Sequence, residues 1–307
     1  MNTCSRRSNM KIGLIGLGKM GYNLALNMRD KGLDVGVYNR SKAPRERIKN
    51  EGVRTFEEIE DMIDALESPK VVWIMVTAGP ATEAIIEQVA PLLSAGDIIV
   101  DGGNSRFSDT LRRGDLLEEK GIYFVDAGTS GGTDGARYGA CMMVGGDKRA
   151  IATLEPYFKV LNVEEGYLHC GKRGSGHYVK MVHNGIEYGM MQAVGEGLEI
   201  IRRSEFDVDF EKVANVWNHG SIIAGYLMQM TKQAFANNGM LEDIVPRIDA
   251  LGEGQWTVEE AIRLGVSAPV ITQSLFIRNA SKDDGKFSDR VVAALRNEFG
   301  GHELHKR

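Results

Sequence analysis

The sequence predicts an α/β domain built on a doubly wound sheet, followed by an all-α C-terminal domain. Two observations carry this prediction. In the first half of the chain, short apolar runs rich in β-branched residues alternate with helical stretches, which is typical of a parallel sheet covered by helices on both faces. After about residue 174 the pattern becomes helical almost to the end.

The predicted strands are short apolar runs that lie before residue 174. The segments between the early runs, such as KMGYNLALNMRDKG and PATEAIIEQVAPLL, have helical periodicity. The runs interpreted as strands are KIGLIG (11–16), DVGVYN (34–39), KVVWIMV (70–76), DIIVDG (97–102), IYFVDA (122–127), ACMMVGG (140–146) and YLHCG (167–171).

The change from alternating strands and helices to helices alone predicts a domain boundary between residues 173 and 174. We expect residues 1–9 to be a disordered extension, 10–173 to form the α/β domain and 174–307 to form the helical domain. The predicted helices of the second domain are 175–203, 209–237, 241–251, 257–264, 268–281 and 286–299.

The composition excludes several classes of protein. The 307 residues are 43% hydrophobic and 26% charged, as in ordinary soluble globular proteins. The net charge of −5 argues against nucleic acid or an acidic membrane as a partner, and the apolar runs are too short to span a bilayer. The three cysteines and six histidines show no ligand spacing, so we expect no metal site and a reduced, cytoplasmic protein.

A glycine-rich turn lies between the first predicted strand and the first predicted helix. In GLIGLGKMG the first glycine permits the tight turn, the second lets the backbone approach a pyrophosphate, and the third allows close packing of helix on strand. The helix N-terminus then faces the phosphates. This context predicts a Rossmann-type dinucleotide-binding domain. The cofactor-binding residues of the turn are Gly16, Leu17, Gly18, Lys19, Met20 and Gly21.

The end of the second strand indicates which dinucleotide binds. An NAD site usually has an acidic residue there, whereas this chain has Asn39, Arg40 and Ser41. A guanidinium suits the 2′-phosphate of NADP. We therefore predict NADP as cofactor, with NAD possible if Arg40 is only a solvated surface residue.

Three further loops follow predicted strands, at the edge of the sheet where ligands bind. Val76, Thr77 and Ala78 are expected beside the nicotinamide ribose. In DGGNS, Asn104 offers both a donor and an acceptor to cofactor and substrate. Ser130–Gly132 can form an anion-binding nest, although these residue types also favour ordinary turns.

A polar stripe runs along one helix in GSGHYVKMVHNGIEY, residues 174–188. The polar residues of the stripe share one helical face, and the other positions are mostly apolar. Such a helix is expected to be buried, so the stripe should line a cavity.

Burial disfavours the charged form of a lysine, so a buried Lys180 can act as a base near neutral pH. The alternative is that Lys180 and Glu187 form structural ion pairs between helices. The members of the stripe are Lys180, His183, Asn184, Glu187 and Tyr188.

Four segments together resemble the 6-phosphogluconate dehydrogenases, a branch of the β-hydroxyacid dehydrogenase superfamily. They are GLGKMG, DGGNS, SGGTDGARYG and above all GHYVKMVHNGIEY. In the hydroxyisobutyrate branch two asparagines typically follow the helix lysine, whereas this chain has His183 and Asn184. The resemblance covers nearly the whole chain from Met10 onward, and the length is similar to that of the short bacterial type.

The resemblance implies oxidative decarboxylation of 6-phospho-D-gluconate to D-ribulose 5-phosphate and carbon dioxide, a step of the pentose phosphate pathway, with NADP or NAD as oxidant. It implies that Lys180 is the general base and Glu187 the general acid. It also implies that the chain is a homodimer or homotetramer, because the family's C-terminal segment reaches into the partner's site. The residues implied to hold the sugar acid are Asn104, Ser130, Gly131, Gly132, His183, Asn184, Tyr188, Arg278, Arg296 and His302.

The chain departs from the family pattern at two positions. Gln255 in GEGQWT and Thr77 in VTAG stand where the family often has lysine. These departures leave open a β-hydroxyacid dehydrogenase that acts on a small unphosphorylated acid. A dinucleotide-binding sensor without chemistry is a third possibility, which the presence of both Lys180 and Glu187 disfavours.

Overall fold

The computed structural model describes residues 10–283 and 287–300. It divides into two compact units, Met1–His183 and Asn184–Arg307. The first is an α/β unit and the second is helical, which confirms the predicted fold class. The domain boundary predicted between residues 173 and 174 stays a prediction, and the extension predicted at 1–9 lies outside the described residues.

The first unit is organised around an eight-stranded sheet. Its neighbouring strands are parallel except for one antiparallel pair, formed by the sixth and seventh strands. The strands are β1 (Met10–Ile15), β2 (Val35–Tyr38), β3 (Arg54–Phe56), β4 (Leu66–Ile74), β5 (Ile98–Asp101), β6 (Tyr123–Ser130), β7 (Ala140–Gly145) and β8 (Asn162–Gly171).

The strand order is β3-β2-β1-β4-β5-β6-β7-β8. The direction in which the chain adds strands reverses between β1 and β4, which makes this the topological switch point where α/β sheets bind ligands. β3 is missing from the sequence prediction because its three residues are partly or fully exposed and carry no apolar run.

Helices cover both faces of the sheet. Along β4, Val71 and Trp73 belong to one buried apolar cluster while Val72 and Ile74 belong to the other, so successive side chains point to opposite covered faces. The helices of this unit are α1 (Lys19–Asp30), α2 (Lys42–Asn50), α3 (Ile59–Asp64), α4 (Pro80–Val89), α5 (Phe107–Glu118), α6 (Gly132–Tyr138) and α7 (Lys148–Leu161).

A long helix, α8 (Ser175–Arg202), begins in the first unit and ends in the second. The helices that follow it are α9 (Phe210–Trp217), α10 (Tyr226–Asn238), α11 (Glu253–Leu264), α12 (Pro269–Ala280) and α13 (Phe287–Gly300). None of the helices within residues 10–283 and 287–300 is long and apolar enough to cross a membrane.

Two predicted helices of the second unit are wrong. The helix expected at 209–237 is interrupted at residues 218–225, where Gly220 and Gly225 adopt positive φ angles of 83° and 156°. The segment 241–251 is not helical. It contains Pro246, which cannot donate a backbone hydrogen bond, and Leu241 has a left-handed φ of 61°. Apolar periodicity alone misassigned both segments.

Candidate active site

The glycine-rich turn after β1 lies at the switch point of the sheet. Gly16 has a φ of 104°, and a Cβ at this position would lie 2.5 Å from the carbonyl oxygen of Met75. A Cβ at Gly21 would overlap the carbonyl oxygen of Gly16, so helix and turn can approach only with glycine at both positions. At Gly18, by contrast, a Cβ would meet no atom within 4 Å.

The start of α1 suits an anionic ligand. Gly18 is the N-cap residue, no side chain caps the helix, and the first turn has no acidic residue. The N–H groups of the first turn therefore face the open side of Gly18 with the positive end of the helix dipole. Lys19 is exposed beside them, whereas Leu17 is buried and Met20 packs against the core. The turn fits the pyrophosphate of a dinucleotide.

Asn39 links the end of β2 to the glycine-rich turn. Its Oδ1 accepts a hydrogen bond from the N–H of Leu17 at 2.8 Å, and its Nδ2 donates to the carbonyl oxygen of Ser41 at 3.1 Å. Arg45 donates to the carbonyl oxygen of Asn39 at 2.8 Å. Arg40 and Ser41 are exposed at the same strand end, where a ribose or its phosphate can reach them.

The loops after β4 and β5 lie next to each other. Thr82 donates to the carbonyl oxygen of Thr77 at 3.1 Å, which closes the loop that contains Val76, Thr77 and Ala78. Asn104 has a left-handed φ of 52°, and its side chain exchanges two hydrogen bonds with the backbone of Thr129 on β6, at 3.0 and 3.3 Å. The amide of Asn104 is therefore held at the edge of the sheet.

Lys180, His183 and Ser130 form a connected group in the first unit. Lys180 is only 5% exposed. Its Nζ lies 3.3 Å from Nδ1 of His183, and Nε2 of His183 lies 3.2 Å from Oγ of Ser130. Ser130 ends β6, and Gly131 and Gly132, both with positive φ, lead from it into α6. These residues were predicted from two segments about 50 positions apart, and the structure brings them together.

The first turn of α8 is fixed to the sheet by Asp126, which the sequence analysis missed. Asp126 is fully buried on β6, and its carboxylate accepts hydrogen bonds from the N–H groups of Gly174 and His177 at 2.7 and 2.8 Å. A carboxylate at a helix N-terminus satisfies N–H groups that have no partner within the helix. Asp126 thereby positions the turn that precedes Lys180.

Two glycines bring α8 very close to the sheet. A Cβ at Gly128 would overlap Cβ of Lys180, and a Cβ at Gly176 would lie 2.5 Å from the carbonyl oxygen of Met143. His177, buried and three residues before Lys180, has its Nδ1 2.7 Å from Oγ1 of Thr110. His177 lies in the segment that the sequence analysis singled out, but nothing in the pattern distinguished it from a core residue.

A second group of side chains surrounds Tyr188 in the second unit. The Cζ atom of Arg278 lies 3.6 Å from the centroid of the Tyr188 ring, and Arg278 donates to the carbonyl oxygen of Asp249 at 2.9 Å. Burial and, after it, the charge of Glu253 raise the pKa of Tyr188. Glu253, which is 5% exposed at the start of α11, was also missed, since a single acidic residue carries no sequence signal.

The remaining predicted residues of the second unit have different environments. Asn184 and Glu187 are partly buried on α8. Gln255 is exposed, and its Nε2 donates to Oε1 of Glu259 at 2.9 Å. Arg296 is exposed on α13, and His302 lies outside the described residues.

Two family models match the chain. The NAD binding domain of 6-phosphogluconate dehydrogenase matches residues 11–167, and the C-terminal domain of 6-phosphogluconate dehydrogenase matches residues 176–304. Together they cover both units, including the glycine-rich turn and all of the polar stripe on α8.

Individual relatives agree with the family models. The chain is 49% identical over 298 residues to YqeC of Bacillus subtilis, a protein provisionally named as a 6-phosphogluconate dehydrogenase. The match covers 97% of this chain and 100% of YqeC. It is 39% identical over 300 residues to the NAD(+)-dependent decarboxylating 6-phosphogluconate dehydrogenase of Haloferax volcanii, covering 97% and 99% of the two chains.

A solved structure extends the comparison to three dimensions. The 6-phosphogluconate dehydrogenase of Plasmodium falciparum, described with its cofactor NADP+ and its substrate 6-phosphogluconate, superimposes with a TM-score of 0.82 at 34% identity. The match covers 97% of this chain and 66% of the longer Plasmodium chain. By two family models, by relatives of matching length and by structure, the chain belongs to the 6-phosphogluconate dehydrogenase family.

Proposed function

We propose that the chain oxidises 6-phospho-D-gluconate and decarboxylates the product to D-ribulose 5-phosphate and carbon dioxide, with NADP or NAD as oxidant. The observation that carries the proposal is the buried Lys180 in contact with His183, within a chain that matches the family over both units.

The residues at the switch point fit a dinucleotide. Gly16, Gly18 and the N-terminus of α1 would hold the pyrophosphate, Asn39–Ser41 the adenosine ribose, and Val76–Ala78 the nicotinamide ribose. When bound, the nicotinamide accepts the hydride from C3 of the sugar acid. The relatives include an enzyme named as NAD-dependent and one described with NADP, and the exposed Arg40 favours NADP for this chain.

Lys180 acts as the base in this proposal. A buried amine gives up its proton more readily than one in water, so a neutral Lys180 takes the proton of the C3 hydroxyl as the hydride leaves. His183, which lies between Lys180 and Ser130, would orient the amine towards the substrate.

The second step is loss of carbon dioxide from the 3-keto acid. The protonated amine of Lys180 donates a hydrogen bond to the keto oxygen and stabilises the enediolate that forms when the C1–C2 bond breaks. Glu187, seven residues further along α8, then donates a proton to the carbon that lost the carboxylate. The amine and the carboxyl group therefore have separate tasks.

The substrate phosphate would be bound by Arg278, and the sugar acid by Asn104, Ser130–Gly132, Asn184, Tyr188, Arg296 and His302. Arginine suits this task because its guanidinium binds phosphate as a fork.

An unphosphorylated hydroxy acid is the second candidate substrate. The observation in its favour is the buried Glu253, an acidic residue whose charge is one cause of the raised pKa of Tyr188. The exposed Gln255 in place of the family's lysine points the same way.

We also propose that the chain is a homodimer or homotetramer. Most of the exposed large apolar side chains of the described residues belong to the second unit, among them Ile222, Leu251 and Ile262. Exposed apolar surface of this extent is typical of a protein interface. The cytoplasmic location expected from composition stays a prediction.

A spectrophotometric assay of cofactor reduction tests the function. The enzyme is mixed with 6-phosphogluconate and either NADP or NAD, and released carbon dioxide is trapped. Reduced cofactor and carbon dioxide in equal amounts are expected. Turnover only with an unphosphorylated hydroxy acid would establish the second candidate, and cofactor binding without any turnover would indicate a sensor.

A further inference from the structure

Arg113, on α5, is a fully enclosed arginine with no role in the proposed chemistry. Its side chain is 2% exposed. A buried guanidinium is costly unless hydrogen bonds and an opposite charge compensate the loss of water. The partners of Arg113 therefore show what its charge is used for.

The guanidinium of Arg113 contacts two loops at once. Its Nη2 donates to the carbonyl oxygen of Gly79 at 3.0 Å, in the loop after β4. Its Nη1 donates to Oγ of Ser105 at 3.2 Å, in the loop after β5. Its Nε donates to Oε2 of Glu83 on α4 at 2.9 Å. All three nitrogens are used, and they join segments that are about 25 residues apart in sequence.

Asp101, the last residue of β5, contacts both Ser105 and Arg113. Ser105 donates through Oγ to Oδ2 of Asp101 at 2.7 Å, and the same oxygen lies 3.6 Å from Nη1 of Arg113. The N–H of Gly103 donates to Oδ1 of Asp101 at 3.0 Å. Asp101 is fully buried, so Arg113 neutralises its charge while the serine hydroxyl links the two.

The loops joined in this way are also in backbone contact. A Cβ at Gly103 would lie 2.6 Å from the carbonyl oxygen of Val76, so the loop after β5 packs directly on the loop after β4. Asn104, the next residue, is held to Thr129 by two hydrogen bonds. A shift at Gly79 or Ser105 must therefore move Val76, Asn104 or both.

We propose that Arg113 is a positioning residue that holds the nicotinamide loop, Val76–Gly79, against the loop carrying Asn104. This inference rests on the proposed function, because that function gives the two loops their ligands. Arg113 acts through Gly79 and Ser105. Fixed donors of this kind keep the reacting groups aligned, and small misplacements of such groups slow a reaction strongly.

The neighbouring arginine provides a matched control. Arg112 also donates to Glu83, from Nη1 to Oε1 at 3.0 Å, but its side chain is 52% exposed. Both arginines thus contribute to the same ion pair between α4 and α5. Gly79 and Ser105 receive hydrogen bonds from Arg113.

The test compares Arg113→Lys with Arg112→Lys. Lysine keeps the charge that Asp101 requires, but it cannot donate in three directions from one plane. Binding of NADPH and NADH to the enzyme is measured by fluorescence, and kcat is measured well below the thermal midpoint of each variant. For Arg113→Lys we expect kcat to fall about tenfold or more and the cofactor dissociation constant to rise severalfold. Arg112→Lys should stay within about twofold of the parent.

Ser105→Ala is the second variant. If Arg113→Lys does not fold, kcat and cofactor affinity of Ser105→Ala test the proposal. It removes the hydroxyl that joins Arg113 to Asp101, and a smaller loss in the same two quantities is expected. Parent values of kcat and cofactor affinity in the folded variants would overturn the proposal, even if the thermal midpoint falls. Equal losses in Arg112→Lys would overturn it as well. If the parent itself turns over no sugar acid, the proposed function fails. The cofactor dissociation constants of the variants still test the positioning role of Arg113.

Discussion

At the scale of single residues, Lys180 shows how the fold selects one amine among many. Lysines such as Lys19 and Lys172 are exposed, whereas Lys180 is buried, with its Nζ 3.3 Å from Nδ1 of His183. In the proposed mechanism, burial is what distinguishes Lys180 from the exposed lysines, because burial disfavours the charged form of an amine.

Replacement of this amine tests the proposed base. We expect Lys180→Met to lower kcat about a thousandfold, because general base catalysis is lost while an unbranched apolar side chain of similar length fills the space. The exposed Lys172 is the control, and Lys172→Met should behave as the parent does. A Lys180→Met variant with most of its kcat would show that Lys180 has only a structural role.

A separate residue-scale prediction concerns cofactor choice. Arg40→Ala should raise KM for NADP about tenfold or more and leave KM for NAD nearly unchanged, because only NADP has the 2′-phosphate that a guanidinium binds. Steady-state kinetics with each cofactor measure the two KM values in the variant and in the parent. Lys49→Ala, at the far end of α2, removes an exposed positive charge as a control. Equal changes for NADP and NAD would contradict the assignment.

At the scale of secondary-structure elements, the contact of α8 with β6 determines where the amine is placed. Gly128→Ala introduces a methyl group that overlaps Cβ of Lys180, so the helix must move away from the sheet. We expect kcat to fall about a hundredfold. Gly195→Ala, in the same helix but with no atom within 4 Å of the added Cβ, should keep full activity. Full activity in Gly128→Ala would mean that the helix position is not critical.

The ion pair between α4 and α5 gives a prediction for pH. The hydrogen bond from Arg112, followed by that from Arg113, lowers the pKa of Glu83 from 4.5 to about 2. Because the folded state lowers this pKa, the stabilisation is complete above pH 4.5 and is lost as the pH falls towards 2. Glu83→Gln should therefore reduce the free energy of unfolding by about 1–2 kcal/mol at neutral pH and by less in acid.

Urea unfolding of Glu83→Gln and the parent at pH 7, 4 and 3 measures this effect. Glu87→Gln, a change of the same kind at an exposed position of α4, is the control. A difference between Glu83→Gln and the parent that stays constant from pH 7 to pH 3 would rule out the ion pair as its source.

Whether an element could be predicted from the sequence depended on how local its determinants are. The stripe on α8 and the turn at Gly16 are short patterns with characteristic spacing, so both could be recognised in advance. Arg113, Asp101 and Asp126 acquire their partners only when separate segments meet, and single charged residues reveal nothing of this. The segment 241–251 has helical periodicity, but Pro246 and a left-handed Leu241 prevent the helix.

At the scale of the whole molecule, the proposed homo-oligomer predicts that two chains together form each site. The family resemblance implies that Arg296 and His302 act in the partner's site, so subunits with different defects should complement each other. Equal amounts of Lys180→Met and Arg296→Ala, each inactive alone, are dissociated and reassociated together. A dimer with shared sites would then recover about a quarter of the parent activity.

Light scattering on the same samples gives the number of subunits. No recovery of activity in a confirmed mixed oligomer would show that Arg296 serves its own chain. Sequence reasoning could predict an oligomer only through the resemblance. The exposed apolar side chains of the second unit, such as Ile222 and Ile262, became apparent only once the helices were placed.

Close contacts among the loops after β1, β4 and β5 also constrain which insertions and deletions this protein can accept in evolution. The backbone at Gly16 packs against Met75, and the backbone at Gly103 packs against Val76, so the loops are in close contact at these two points. An insertion or deletion in one of them would displace the other two. Across related chains, the lengths of these three loops are therefore expected to change together or not at all.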